Sequence, residues 1–142
     1  MSVSKPEICL NWRRFGSWKE VSIFVNKAEG PVSCIYAQTD ADGNLLRIGK
    51  TDRLRGRYWS DTGTLDASMH NSGNRIYVGI LVQCSDGSTP RDVDEDMTVR
   101  ADLKDGEREL IFRHHPIYNY RDRNSSPSRR INFRHLGDAP KI

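Results

Sequence analysis

The stretch CIYAQTDADGNLLRIG, residues 34–49, decides the architecture. Two short runs rich in β-branched and aromatic residues, SCIYAQT (33–39) and LLRIG (45–49), flank DADGN (40–44), whose Asp42-Gly43 and Gly43-Asn44 pairs favour a tight reversal. The pattern predicts a β-hairpin. DADGN begins like a calcium loop, but it has no glycine at the sixth position and no glutamate at the twelfth, so a turn is the better account.

Downstream, DRLRGRYWSD (52–61) starts with an N-cap candidate and carries Leu54 and Tyr58 four apart, which predicts a helix leaving the second strand. Residues 61–74, rich in Gly, Ser, Asn and Thr, read as a loop, and NRIYVGILVQC (74–84) reads as a buried third strand. Pro90 can open a helix with acidic residues in its first turns, Asp105-Gly106 interrupts it, and ERELIFRHH (107–115) forms another that stops at Pro116. Upstream, SWKEVSIFVNKA (17–28) sets Trp18, Val21, Phe24 and Val25 at helical spacing behind Ser17, and Gly30-Pro31 ends the pattern. From Tyr120 onward the chain is polar, aperiodic and rich in Arg, which predicts an extended tail.

At 142 residues the chain is long enough for one domain with tails and too short for two ordinary ones. A 36% hydrophobic content against 29% charged, with a mean hydropathy of −0.70, requires an economical core. No apolar run reaches the length of a membrane span, and the start MSVSKPEICLNWRRFG lacks the apolar stretch of a secretory signal, so a cytoplasmic protein is expected. Cys9, Cys34 and Cys84 are odd in number without CxxC spacing, which suggests neither a disulfide framework nor a zinc site. Cys34 and Cys84 lie in apolar runs and read as core fillers.

Net charge is only +3, but the signs are unevenly spread. Arg47, Lys50, Arg53, Arg55 and Arg57 form one basic cluster and Arg121, Arg123, Arg129, Arg130 and Arg134 another, while Asp92, Asp94, Glu95 and Asp96 bunch elsewhere. A basic face can exist under such a total, and it would suit nucleic acid.

The hairpin, the basic segment and the later glutamate helix supply a tyrosine, an arginine, a carboxylate and an amide, residue types suited to phosphodiester cleavage. CIY (34–36) and RIG (47–49), with eleven positions from Tyr36 to Arg47, resemble the paired strand motifs of the GIY-YIG nucleases. Leu54 and Arg57 fall five and eight residues after Gly49, as that family's helix leucine and arginine do. ERELIFRHHPIYN (107–119) resembles its final motif, with a glutamate three residues before Leu-Ile and a Pro-x-x-Asn after it. The resemblance covers about residues 33–119 and extends to the N-terminal nuclease domains of the excinucleases that make incisions in excision repair.

That resemblance implies an α/β domain with a small mixed, roughly three-stranded sheet flanked by helices. It would comprise an N-terminal extension with a short helix (1–32), a nuclease core (33–119) and a basic C-terminal tail (120–142). It implies metal-dependent hydrolysis of phosphodiester bonds, in DNA ahead of RNA. Glu107 would bind one Mg²⁺ or Mn²⁺, hard ions that prefer carboxylate and water oxygen, with Glu109 the rival two residues on. Arg57 would hold the scissile phosphate through a bidentate pair, and Tyr36 would orient the attacking water or accept its proton. Asn119 would fix Tyr36 or a bound water, or cap the turn after the helix. Lys50, Arg53, Arg55 and His70 would contact the nucleic acid.

One position departs from the family's chemistry: Arg47 stands where the second motif tyrosine is expected. An arginine cannot act as a neutral proton acceptor, but it can hold a phosphate. The rival expectation is therefore a silenced module that binds nucleic acid without cutting it. Target selection would come from a homodimer or from a fused or associated partner.

Overall fold

The computed structural model describes residues 6–27, 32–53, 73–119, 127 and 129–142. Their elements are β1 (Glu7–Phe15), α1 (Trp18–Asn26), β2 (Cys34–Thr39), β3 (Leu45–Thr51), β4 (Arg75–Val82), α2 (Val99–His114) and β5 (Asn132–Gly137). The strands form one sheet in the order β3-β2-β4-β1-β5. β5 runs parallel to β1, and every other pairing is antiparallel.

The expected hairpin is β2–β3. Asp40 closes its turn by accepting from the backbone N–H of Asp42 at 3.0 Å and from Asn44 N–H at 2.9 Å, and Gly43 takes φ +88°. That left-handed conformation is why a glycine follows Asp42. One extra residue on β3 opposes Thr39, and beyond this bulge Gln38 pairs with Arg47 and Tyr36 with Gly49. The expected helix near residue 17 is α1. Ser17 accepts from Glu20 N–H at 3.2 Å, and the Glu20 carboxylate accepts from Gly16 N–H at 2.6 Å, so two donors at the helix start are satisfied.

The sheet divides the core into two layers because side chains alternate along each strand. On one face α2 covers Ile8, Leu10, Trp12, Ile35, Ala37 and Ile48 with Leu103, Leu110 and Ile111. On the other, α1 sets Val21 and Val25 against Cys34, Tyr36, Ile76 and Val78.

Three expectations are corrected. The sheet has five strands rather than about three, because both segments expected to flank the core contribute to it: residues 7–15 as β1 and residues 132–137 as β5. Next, α2 begins at Val99 rather than Pro90, since residues 90–98 make turns in which Asp92 and Asp96 accept backbone N–H bonds. Finally, Gly106 does not interrupt α2. A Cβ there would come 3.1 Å from Ile35 Cδ1 and 3.3 Å from Ile8 Cδ1, so the missing side chain lets the helix lie close on the sheet. Close packing offsets the roughly 1 kcal/mol that glycine costs inside a helix. The expected helix over 52–61 and most of the loop over 61–74 lie outside the described residues.

The C-terminal segment is fixed by a buried carboxylate. Glu109, with no exposed side-chain surface, accepts from Arg130 Nε at 2.9 Å and from Ile131 N–H at 2.9 Å, and Ile131 joins the core. Burial alone raises the Glu109 pKa, but the Arg130 and Ile131 bonds and the nearby Arg113 outweigh it and hold the group below its ordinary value. Among the described residues no helix is long and apolar enough to cross a membrane.

β5 also carries His135, whose Nδ1 accepts from the Trp12 indole N–H at 2.9 Å. Burial, with His114 and Arg113 nearby, lowers its pKa from the ordinary 6.5. A depressed histidine leaves the unfolded chain binding protons more readily, so stability is present above the unfolded pKa and is lost as pH falls below it. The urea midpoint should therefore drop between about pH 7.5 and about pH 5.5. In His135→Gln, which keeps an acceptor for Trp12 but cannot titrate, the slope should shrink to the part owed to His114, whose pKa burial and Arg113 also lower. An unchanged slope in that variant would show that His135 does not couple folding to pH.

Candidate functional site

The hairpin places Tyr36 and Arg47 on the α1 face. Tyr36 is 4% exposed and its ring lies directly over Gly49, its cross-strand partner. A Cβ at Gly49 would meet the Tyr36 ring and phenolic oxygen at 2.3 Å, so only glycine allows the ring to lie flat on β3. Arg47, two residues before Gly49, shares that face opposite Gln38 and is half-buried. Arg47 takes no part in an ion pair among the described residues.

Asn119 reaches the same hairpin from 71 residues away. Its Oδ1 accepts from Ile48 N–H at 2.8 Å and its Nδ2 donates to the Ile48 carbonyl at 2.9 Å, so the amide is bonded at both ends to the residue between Arg47 and Gly49. Tyr118 N–H donates to the Leu46 carbonyl at 2.8 Å, extending the attachment along the free edge of β3. The turn that delivers this segment is set by His115, which ends α2 at φ 48° and donates to the Ile111 carbonyl just before Pro116. Asn119 thus clamps β3 at Ile48.

Glu107 stands on α2, half-buried, in the layer opposite Tyr36. The described residues do not bring Tyr36 and Glu107 onto one face. Glu109, the rival carboxylate, is fully buried and committed to Arg130 and Ile131, which makes Glu107 the more accessible of the two to a metal. A hard cation of this type is commonly held by one or two carboxylates with water, so a single glutamate fits the donor chemistry. Arg55, Arg57 and His70 lie outside the described residues.

Lys50 pairs with Ile35 and so faces the α2 layer. With Thr51, Asp52, Arg100, Leu103 and Lys104 it lines a cavity of about 410 Å³. Three cationic side chains against one carboxylate give this recess positive potential, and the Asp52 carboxylate is itself bonded to Arg100 Nε at 2.7 Å. That bond holds the Asp52 pKa below its ordinary value.

The other basic residues are largely engaged within the protein. Arg53 pairs with Asp94, Arg129 with Asp102 and Asp105, Arg130 with Glu109, and Arg134 with Glu7. Arg91, almost covered, is bonded to Asp96 and Asp102. Two members of the acidic bunch, Asp94 and Asp96, thus pair with Arg53 and Arg91, while the described C-terminal arginines pair with Glu7, Asp102, Asp105 and Glu109. Of the two basic clusters, Arg47 and Lys50 are the members without an ion pair among the described residues.

Sequence reasoning also missed a group at the opposite rim. Cys84, expected as a core filler, is half-buried, and its Sγ lies with Cys9 Sγ and a Glu7 carboxylate oxygen in a cluster whose three atoms are all within 4.8 Å of one another. The signal was absent because 75 residues separate the two cysteines in the chain. Burial and the Cys84 neighbour push the Cys9 thiol up to about 11. Set against known families, curated proteins and solved structures, the chain matches no family model, no curated protein and no solved structure.

Proposed function

We propose that this chain is a metal-dependent endonuclease of the GIY-YIG type, hydrolysing phosphodiester bonds in DNA. The observation that carries the reading is the two-ended bond between the Asn119 amide and Ile48. It joins the third motif segment to the second, while Tyr36 of the first lies on Gly49 of the second. Three segments that resemble one family in sequence thus meet at a single hairpin.

In this reading Glu107 holds Mg²⁺ or Mn²⁺, which when bound offsets the negative charge that builds on the phosphate during hydrolysis. Arg57 grips the scissile phosphate and Arg47 adds a second cation beside it. Orienting the attacking water is the role that the resemblance assigns to the phenolic oxygen of Tyr36, which is buried between β3 and α1 in the layer opposite Glu107. Lys50, Arg53, Arg55 and His70 contact the flanking backbone, with the recess around Lys50 a seat for a neighbouring phosphate. Specificity for a site, a branch or a lesion comes from a second copy or an associated partner.

One specific observation favours a second reading. Arg47 stands beside Tyr36 on the same face without an ion-pair partner among the described residues, so a fixed cation occupies the place where the family's chemistry calls for a neutral phenol. In that reading the chain binds DNA and does not cut it.

Cleavage of labelled DNA and RNA with Mg²⁺, Mn²⁺ or EDTA decides between them. The nuclease reading expects nicking that EDTA abolishes and that falls by about a hundredfold or more in Glu107→Ala, with circular dichroism unchanged because the carboxylate is not part of the core. Arg47→Ala should cost roughly tenfold to a thousandfold. Binding without cutting, converted to metal-dependent nicking by Arg47→Tyr, would establish the silenced module instead. Activity surviving in Glu107→Ala but lost in a Glu109→Gln variant that still folds would move the metal to Glu109. Affinity that does not fall with salt would remove both readings, since phosphate contacts release counterions.

A further inference from the structure

The geometry points to a second metal site, remote from the hairpin, in which Cys9, Cys84 and Glu7 bind a thiophilic divalent cation such as Zn²⁺. The argument begins with register. Glu7 and Cys9 lie two apart on β1 and so share a face, and Cys9 pairs with Val82, the last residue of β4. The chain continuing from β4 brings Cys84 back beside Glu7, and Cys84 Sγ lies 3.7 Å from the Glu7 carbonyl oxygen to which it donates. Two thiols and a carboxylate, from β1 and from the segment that follows β4, thus converge within 4.8 Å.

The donor set selects the ion. Two sulfurs exclude Mg²⁺ and Ca²⁺, which take oxygen ligands, and favour Zn²⁺ and its thiophilic analogues. With Zn–S bonds near 2.3 Å, a tetrahedral site needs sulfurs about 3.8 Å apart, so the existing cluster has to tighten by no more than about 1 Å. Three protein ligands leave the fourth position to water. The strands are held independently of the cluster, since β1 pairs with β4 over Cys9–Phe15 and with β5 over Glu7–Trp12, so the ligands are presented on a rigid frame.

A cation already occupies the rim of this cluster. Arg134 Nη2 donates to Glu7 Oε1 at 2.8 Å and Nη1 donates to the Cys84 carbonyl at 3.2 Å. The guanidinium therefore competes with a metal for the carboxylate, and binding requires Glu7 to exchange Arg134 for the ion. This sets an expectation that a purely structural role for the cysteines does not share: removing Arg134 should tighten metal binding.

The test is titration of the full chain with Co²⁺ under a phosphine reductant, followed by displacement with Zn²⁺. The expected result is one equivalent of Co²⁺ giving sulfur-to-cobalt charge transfer and the visible absorption of a tetrahedral ion, both erased by Zn²⁺. Cys84→Ser should remove the charge-transfer band. Because Cys84 is half-buried this variant keeps the fold, whereas Cys9 is in the interior and its substitution can fail for other reasons. Glu7→Gln should keep the band and weaken binding by about tenfold or more, and Arg134→Gln should strengthen it by a similar factor. Cys34→Ala, on β2 and outside the cluster, should change nothing. The site is overturned if Co²⁺ binds without charge transfer or does not bind, if the band survives Cys84→Ser, or if it disappears in Cys34→Ala. These readouts need no nuclease activity, so they stand or fall apart from the reading of the hairpin.

Discussion

A chain ending at Asn119 should fail to fold, giving no cooperative urea transition and no near-ultraviolet circular dichroism. Such a truncation discards residues that the sequence presents as a polar tail, but Ile131 is fully buried and β5 pairs with β1 over six residue pairs. Burial of one isoleucine side chain contributes about 2–3 kcal/mol. The larger loss is electrostatic. Without Arg130 and the Ile131 N–H, the Glu109 carboxylate, fully buried in the intact fold, keeps only Arg113, 3.4 Å away, of these partners. Leaving one partner of a buried pair uncompensated costs about 3–5 kcal/mol. Trp12 would also lose the acceptor for its indole N–H, and Asp102 would lose Arg129. Against a total stability of about 5–15 kcal/mol for a domain of this size, these losses consume most of what holds it folded. A truncated chain that melts cooperatively near the full-length midpoint would show that β5 is dispensable.

The elements legible in the sequence are those whose cause is local. DADGN turns because Asp40 and Gly43 make the turn themselves, and α1 starts where Ser17 and Glu20 satisfy its first donors. β4 was visible because buried residues run almost unbroken along Arg75–Val82. What escaped depends on distant partners. β5 shows only half-buried or exposed side chains along Asn132–Gly137, as an edge strand does, and its existence rests on backbone pairing with a strand 125 residues earlier, from Asn132 to Glu7. Gly106 reads as a breaker until Ile8 and Ile35 stand beneath it. Glu109 reads as a rival metal ligand because Arg130 and Ile131, its partners, come 21 and 22 residues later in a stretch with no periodicity. The candidate site divides in the same way. Motif spacing singled out Tyr36, Arg47 and Asn119 around one hairpin, but it could not reveal that the Asn119 amide is spent on Ile48, nor that Cys9 and Cys84 meet.

Gly49→Ala should cost about 3 kcal/mol or more, lowering the urea midpoint far more than an alanine in an ordinary strand would, because overpacking of a rigid core is felt in full. The new methyl group would stand 2.3 Å from both Cζ and the phenolic oxygen of Tyr36, well inside contact distance. Relief would have to come from the ring, since β3 is tied on one side to β2 and on the other to Asn119. The ring in turn is enclosed by Val21, Val25 and Val78 of the α1 layer. Removing the ring should remove the penalty: in Tyr36→Ala the added methyl enters space the phenol has vacated. The double variant should therefore be more stable than the two single effects predict, by roughly 1–3 kcal/mol of coupling. Additive effects would mean that the glycine serves the backbone of β3 rather than the tyrosine. Under the nuclease proposal the same clash has a second consequence, because a phenol pushed off Gly49 no longer points where it orients water. Cleavage by Gly49→Ala, measured at a temperature where the variant is still folded, should then fall at least as far as in Tyr36→Phe, tying the glycine of the second motif to the tyrosine of the first.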